Sequence, residues 1–330
     1  MATVSDEGLL AFSSTARDQV VLITGGAKGI GREAAVLFAK HGAKVVIGDI
    51  DPNAGHDVVD TITRDGGAAI YQRCNVLEWD DLVSLFEKAI ETYGRVNSVL
   101  PIAGIATEKP FPNIEVVNGR PVKPQLTTLD INLRAVMHTT HIAFHYFKKD
   151  TAESGMKSIV FMASMASWQG IPGVAEYSAA KHGVLGFMRA IEPISQLQGI
   201  HVASVHPWFV DTTLLPLVVK TILAGIPKTP VERVAYAVFY AATNPDWANQ
   251  GSTLLLPDDG PVLRLNKEEL KEGVYGIINN RAQRAKRTGE AILSFAATLR
   301  DLWKIFGKGV MVAMLCAVAA RWARARYLRS

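Results

Sequence analysis

The chain is poor in cysteine. Only Cys74 and Cys316 occur in its 330 residues, which excludes a disulfide framework or a cysteine-rich metal site and points to a reducing compartment. No Cys/His pair has metal-ligand spacing, so no metal is expected. The stretch most like a membrane segment, GVMVAMLCAVAA at 309–320, has twelve uncharged residues, short of the ~20 that span a bilayer. The opening MATVSDEGLLAFSSTARDQ has no basic start and only a short apolar run, so no secretory leader is expected. No repeat of solenoid period is visible.

What is present reads as globular. Hydrophobic residues make up 48% and charged residues 20%, too apolar for disorder. The length suits one α/β core with an appendage, or two small domains. The net charge of +4 hides an asymmetry. From Arg264 onward fourteen Lys and Arg face five Asp and Glu, a net +9, which leaves −5 on residues 1–263. A basic tail suits an anionic surface, or is a solvated face.

Short β-rich apolar runs alternate with amphipathic stretches. QVVLIT (19–24), KVVIGD (44–49), AAIYQRC (68–74), NSVLPI (97–102), SIVFMA (158–163), HVASVH (201–206) and STLLLP (252–257) read as strands. Between them, helices are expected at Ile30–Lys40, Ala54–Thr63, Leu82–Tyr93, Ile131–Phe147 and around Tyr177 and Lys181. Such alternation demands right-handed crossovers and a parallel sheet covered on both faces. The expected fold class is α/β, a doubly wound parallel sheet (Rossmann fold) with a helical C-terminal extension. The expected division is an N-terminal arm at 1–18, a catalytic domain at 19–263 and a basic helical tail at 264–330. The proline-rich stretch 107–127 should be a surface excursion.

The first turn reads Thr24-Gly25-Gly26-Ala27-Lys28-Gly29-Ile30-Gly31. It follows a strand and opens a helix, so glycine backbone and a helix N-terminus can approach a pyrophosphate. Asp49 ends the second strand, twenty residues after Gly29. A carboxylate there accepts from adenosine ribose hydroxyls and repels a 2′-phosphate. Two unit charges at 4 Å cost about 1–4 kcal/mol between water and protein-surface dielectrics. This favours NAD over NADP. Lys28 argues the other way, or neutralises the pyrophosphate, or points to solvent. Asp49 carries more weight, because Ile50 and Asp51, not an arginine, follow it.

Tyr177-Ser178-Ala179-Ala180-Lys181 sets a phenol and an ammonium four residues apart, on one helical face. A neighbouring cation should lower the phenol from its usual pKa of ~10. Tyr177 could then take the proton of an alcohol as hydride leaves its carbon. Ser164, thirteen residues before Tyr177 at a strand end, could hold the substrate oxygen. Asn132 falls in the preceding long helix, where it could fix a water that links Lys181 to solvent.

TGGAKGIG, the Asn of DIN, the Ser, YSAAK and PWFVDT together resemble the short-chain dehydrogenase/reductase family over about residues 19–260. The resemblance implies that Tyr177 is the acid/base. Lys181 would lower the Tyr pKa and bind the nicotinamide ribose, Ser164 orient the substrate oxygen, and Asn132 support a proton-relay water. It also implies Asn75 beside the adenine, Thr212 at the nicotinamide amide, and Ala103, Gly104 and Val210 along the cofactor. Two positions depart from the family pattern. Pro101-Ile102-Ala103-Gly104 lacks the usual asparagine pair before its Ala-Gly, and Trp208 replaces the usual glycine after Pro207.

His206 and His182 flank these segments and read as packing or surface histidines. Trp168, Gln169, Trp208 and Phe209 follow strand ends where such sheets bind ligands, so they shape a substrate pocket or pack in the core. The apolar segment 213–228 covers a bulky apolar substrate, such as a terpenoid, steroid or fatty derivative, or is a buried packing helix. The tail, 303–329, reads as an interfacial membrane anchor or as a packed helix.

The expected function is hydride transfer between NAD(H) and a hydrophobic secondary alcohol or ketone, in lipid or specialised-metabolite (terpenoid) biosynthesis. An NADPH-dependent ketone reductase is the alternative on the same chemistry, and a non-catalytic dinucleotide sensor or scaffold is the alternative of another class. A homo-oligomer is expected, in the cytoplasm or on the cytosolic face of a membrane. No nucleic-acid partner is expected, since no aromatic–basic recognition motif occurs.

Overall fold

The segment Val20–Thr24 is buried along its whole length. Val21 and Ile23 enter one hydrophobic cluster, while Val20 and Leu22 enter another. Alternate side chains point to opposite faces of a strand, so both faces of the sheet at this point are covered.

The computed structural model describes residues 2–106, 111, 113–149, 155–212, 224–246 and 250–266, with 288, 292 and 295–300. Met1–Glu269 form one compact unit and Leu270–Ser330 another. In the first unit the strands are β1 (Ala2–Val4), β2 (Val20–Thr24), β3 (Lys44–Asp49), β4 (Ala68–Arg73), β5 (Ser98–Pro101), β6 (Val116–Val117), β7 (Arg120–Pro121), β8 (Lys157–Met162), β9 (Ile200–Pro207), β10 (Thr253–Leu256) and β11 (Val262–Leu265). Nine of them form one sheet in the order β1-β11-β10-β9-β8-β5-β2-β3-β4. From β4 across to β10 every pairing is parallel, and β11 and β1 add an antiparallel edge. Chain order reverses between β2 and β5. A doubly wound sheet opens its crevice at such a point, beyond the strand C-termini.

The helices are α1 (Asp6–Leu9), α2 (Gly29–Lys40), α3 (Pro52–Arg64), α4 (Trp79–Tyr93), α5 (Thr127–Leu129), α6 (Ala135–Lys149), α7 (Ala175–Leu197) and α8 (Val231–Thr243). Phe38 of α2 and Phe239 of α8 meet at 4.8 Å between ring centroids over one sheet face. Phe86 of α4, Ile142 of α6 and Met188 of α7 cover the other. The strands and helices expected between Gln19 and Pro257 are present where described, with boundaries shifted by a few residues. The sequence reading did not include α8, where Val234, Ala235, Ala237, Val238, Phe239 and Ala242 are all buried.

The first eighteen residues are built into this unit. Leu9 and Ala16 are fully buried, Ala2–Val4 pair with β11, and Asp6 accepts a two-pronged ion pair from Arg233 of α8. The sheet thus runs to Leu265, two residues past the expected boundary at 263. Residues 116–121 of the proline-rich excursion form an exposed hairpin with Asn118 and Gly119 at positive φ. In the second unit residues 295–300 are helical. The stretch 303–329 and most of the apolar segment 213–228 lie outside the described residues. Among those described, no helix is long and apolar enough to cross a membrane, and no group of three His, Cys, Asp or Glu could hold a metal ion.

Candidate active site

Glycines shape the turn after β2. Gly25 and Gly29 have φ of 71° and 53°, in the left-handed region that favours glycine. A Cβ on Gly25 would lie 2.6 Å from Ala103 Cα, and one on Gly31 would collide with the Gly25 carbonyl. The bare backbone leaves a cradle at the start of α2, whose free N–H groups and dipole favour an anion. A dinucleotide pyrophosphate fits there. Thr24 is buried behind the cradle, and its carbonyl accepts from Ile102 N at 3.1 Å.

Asp49 ends β3 at the edge of the cradle. Its Oδ2 accepts from Ala27 N at 3.0 Å and its Oδ1 from Asp51 N at 3.1 Å. The carboxylate is therefore fixed by backbone, with lone pairs left for hydroxyl donors. Lys28 also lines the cavity that opens here. Its Nζ pairs with Asp51 Oδ2 at 2.5 Å, and this contact raises the Lys28 pKa and lowers that of Asp51.

A cavity of about 620 Å³ opens from Gly25, Gly29, Ile30 and Gly31 past Asp49 to Ser164, Tyr177 and Lys181. Ala103, Gly104, Val210 and Thr212 also line it. The glycine turn and the segment after β9 converge, since a Cβ on Gly29 would come within 3.4 Å of the Thr212 methyl. Ser164 follows β8 and caps the short turn Met165–Ser167, accepting from Ala166 N at 3.1 Å. Its hydroxyl donates to the Pro207 carbonyl at 3.4 Å and, from beside the Tyr177 phenol, lowers that phenol's pKa. Tyr177 and Lys181 share one face of α7, with Lys181 Nζ 5.6 Å from the Tyr177 ring centroid.

The electrostatics correct one expectation. Burial pushes the Tyr177 phenol up, and the Ser164 hydroxyl only partly offsets this. Burial also pushes the Lys181 ammonium down to about 8, and its Nζ donates to the Met162 carbonyl at 2.8 Å. In the protein alone, desolvation of the phenolate outweighs any help from Lys181. Tyr177 therefore rests as a phenol, equipped to give a proton.

Asn132 lies in a π-helical turn, Asp130–Arg134, between α5 and α6. It is fully buried. Its Oδ1 accepts from Ile105 N at 2.8 Å and its Nδ2 donates to Ile105 O at 2.7 Å. It fastens the loop after β5 and stands behind the cavity wall. Asn75 is likewise committed locally. Its backbone N donates to Asp81 at 2.8 Å, and its Oδ1 accepts from Leu77 N at 3.2 Å. Neither it nor Thr24 is among the cavity's lining residues.

Trp208 and Phe209 line the cavity, as the pocket reading expected, whereas Trp168 and Gln169 do not. Trp168 instead packs under Arg189, with its indole nitrogen 3.1 Å from His206 Nδ1. His182 bonds its own helix through Ser178 O at 2.8 Å. The sequence reading missed Ile171, Pro172 and Val174, which form an apolar wall between Ser164 and Tyr177. Their position just before the Tyr-Lys helix was the available signal.

The short chain dehydrogenase family model matches residues 19–221. A cyclohexanol dehydrogenase from Acinetobacter sp. is 34% identical over 204 residues, 62% of this chain and 78% of that protein. A (-)-trans-carveol dehydrogenase from Rhodococcus erythropolis is 34% identical over 209 residues, 60% of this chain and 73% of its own length. A short-chain type dehydrogenase/reductase from Mycobacterium marinum superposes with a TM-score of 0.65 at 22% identity, covering 75% of this chain and 97% of that one, which supports the fold. A parallel sheet reversing at β2/β5, a glycine cradle and a Ser-Tyr-Lys set lining one cavity thus coincide with a match over most of the sheet, and the chain belongs to the short-chain dehydrogenase/reductase family of NAD(P)-dependent oxidoreductases.

Proposed function

We propose that this enzyme is an NAD(H)-preferring dehydrogenase/reductase of bulky, apolar secondary alcohols and their ketones. The observation that carries the reading is an apolar cavity with Ser164, Tyr177 and Lys181 at one wall and Asp49 at its cofactor end. Ile171, Val174, Trp208 and Phe209 offer a substrate much hydrocarbon contact and few polar partners. The alcohols named for the two bacterial relatives, cyclic and largely hydrocarbon, are of this kind. A role in specialised-metabolite or lipid metabolism follows from that substrate class.

Bound NAD(H) supplies the hydride acceptor or donor. The backbone of Gly25, Lys28, Gly29, Ile30 and Gly31 would hold its pyrophosphate, Asp49 its adenosine ribose, and Asn75 its adenine. Ala103, Gly104, Val210 and Thr212 would flank its path to the nicotinamide. Ser164 orients the substrate oxygen. Tyr177 gives that oxygen a proton in reduction and removes one in oxidation, and Lys181 binds the nicotinamide ribose. Asn132, through Ile105, supports the loop beside them and a proton path to Lys181. Because burial raises the Tyr177 pKa, its basic form is scarce at neutral pH. Alcohol oxidation should therefore rise with pH on the alkaline side, and ketone reduction should not. The Lys28–Asp51 pair supports this preference, since it engages the lysine charge that a 2′-phosphate would otherwise meet.

The enzyme is placed in the cytoplasm as a homo-oligomer. Residues 303–329 serve as an interfacial anchor on its membranes, a reading that rests on their sequence alone. The test is turnover of cyclohexanol, carveol and their ketones with NAD(H) and NADP(H), followed at the nicotinamide absorbance. Faster turnover with NADP(H) would favour the NADPH ketone reductase, and cofactor binding without turnover of any alcohol would favour a sensor.

A further inference from the structure

Two polar groups converge on one nitrogen beneath Ser164. His206, on β9, is fully buried. Its Nδ1 lies 2.9 Å from the Ser164 carbonyl oxygen and 3.1 Å from the Trp168 indole nitrogen. Its Nε2 lies 2.9 Å from Ser204 Oγ, which is 3.3 Å from Thr253 Oγ1. Burial, with the charges of Arg189 and Lys181, pushes the imidazole down to about 3. The ring is neutral and carries one proton.

The partners of Nδ1 are mutually exclusive. A bare Nδ1 can accept from Trp168, but it then sets a lone pair against the Ser164 carbonyl inside the core. A protonated Nδ1 donates to that carbonyl, and Trp168 loses its acceptor. The second arrangement suits the surroundings better. The Ser204 hydroxyl can rotate to donate to Nε2. Trp168 is held independently by Arg189, whose guanidinium lies 4.9 Å over the indole, and it is less deeply buried than His206. A buried lone-pair clash has no such relief.

The rest of the serine is pinned as well. Ser164 N donates to Ser167 Oγ at 3.3 Å, and Ser167 N donates to Ser164 O at 2.9 Å. The histidine bond adds a strut from the neighbouring strand. We propose that His206 is a positioning residue: as its Nδ1–H tautomer it anchors the Ser164 carbonyl from β9 and keeps the serine hydroxyl in register with Tyr177, while Trp168 competes for the same nitrogen. This rests on Ser164 orienting the substrate oxygen.

The test combines a spectrum with kinetics on the full chain. Two-bond proton–nitrogen correlation of the histidine-labelled protein, with His206 assigned by its loss in His206→Asn, should show a proton on Nδ1. A proton on Nε2 overturns the proposal. In cyclohexanol oxidation with NAD, His206→Asn restores an N–H near the Nδ1 position and should keep kcat within about threefold, whereas His206→Leu should lower kcat about tenfold or more with little change in KM for NAD. An unchanged kcat in His206→Leu overturns the proposal. If His206→Leu fails to fold, Trp168→Phe decides: it removes the competitor, so the Nδ1–H signal and kcat should be retained, and loss of either refutes it. Failure to turn over cyclohexanol counts against the substrate reading alone, because the spectrum needs no substrate.

Discussion

Replacing Asp49 with asparagine should relax cofactor choice by removing one charge while keeping one of the two acceptor oxygens. Alanine would be a poorer probe. It would strand the amides of Ala27 and Asp51, which now donate to the carboxylate, at about 1–3 kcal/mol for each buried group left unsatisfied. Asparagine keeps one acceptor oxygen on the same stem and so strands one amide where alanine strands two. The magnitude follows from Coulomb's law. A 2′-phosphate some 4 Å away would meet about 1 kcal/mol of repulsion per charge pair in water and about 4 kcal/mol at a surface-like dielectric. Asp49 is half-buried, so a value near 1.4 kcal/mol, about tenfold, is the working figure. The ratio of kcat/KM for NAD to that for NADP should fall about tenfold in Asp49→Asn. Asp51→Asn should lower it further by releasing Lys28, and Lys28→Ala in that background should reverse the second change. Nicotinamide absorbance on a secondary alcohol measures all four proteins. An unmodified enzyme that uses NADP at least as well as NAD, or an Asp49→Asn ratio that does not move, would refute the reasoning.

Tyr177→Phe keeps the ring and removes the transferable proton, so turnover should fall about a hundredfold or more while NAD affinity, measured calorimetrically, persists; near-normal turnover would end the acid/base assignment. Lys181, with a folded pKa of about 8 against an ordinary 10.5, carries a burial penalty in full below pH 8 that fades as pH rises toward 10.5. Stability of the cofactor-free protein should therefore increase over that window. Lys181→Met should flatten the increase and raise stability at pH 7 by about 1–3 kcal/mol, at the expense of turnover; denaturant melts across pH check both. A chain ending at Glu269 should stay folded, bind NAD and lose any affinity for anionic vesicles, whereas one ending at Leu263 cuts β11 and the register it shares with β1 and β10, so its melting temperature should drop by several degrees. Full-length protein that ignores anionic vesicles would rule out the membrane role of 303–329.

The sequence by itself determined the parallel core of the sheet and the chemistry to be expected of it. Strand–helix alternation from Val20 to Leu256 has few topological solutions, and glycines at Gly25, Gly29 and Gly31 are required by local backbone geometry and close approach. Tyr177 and Lys181 were legible because helical periodicity alone puts them on one face. Tertiary structure decided what depends on distant neighbours. Lys28 could have met a phosphate, and only the fold brings Asp51 to its side. Lys181 was expected to lower the Tyr177 pKa, but the burial of both, which no spacing reveals, pushes the phenol up. Ala2–Val4 read as an arm because its partner strand lies some 260 residues away. Trp168 read as pocket or core and His206 as packing or surface for the same reason: thirty-eight residues separate them, and only the adjacency of β8 and β9 sets both against Ser164.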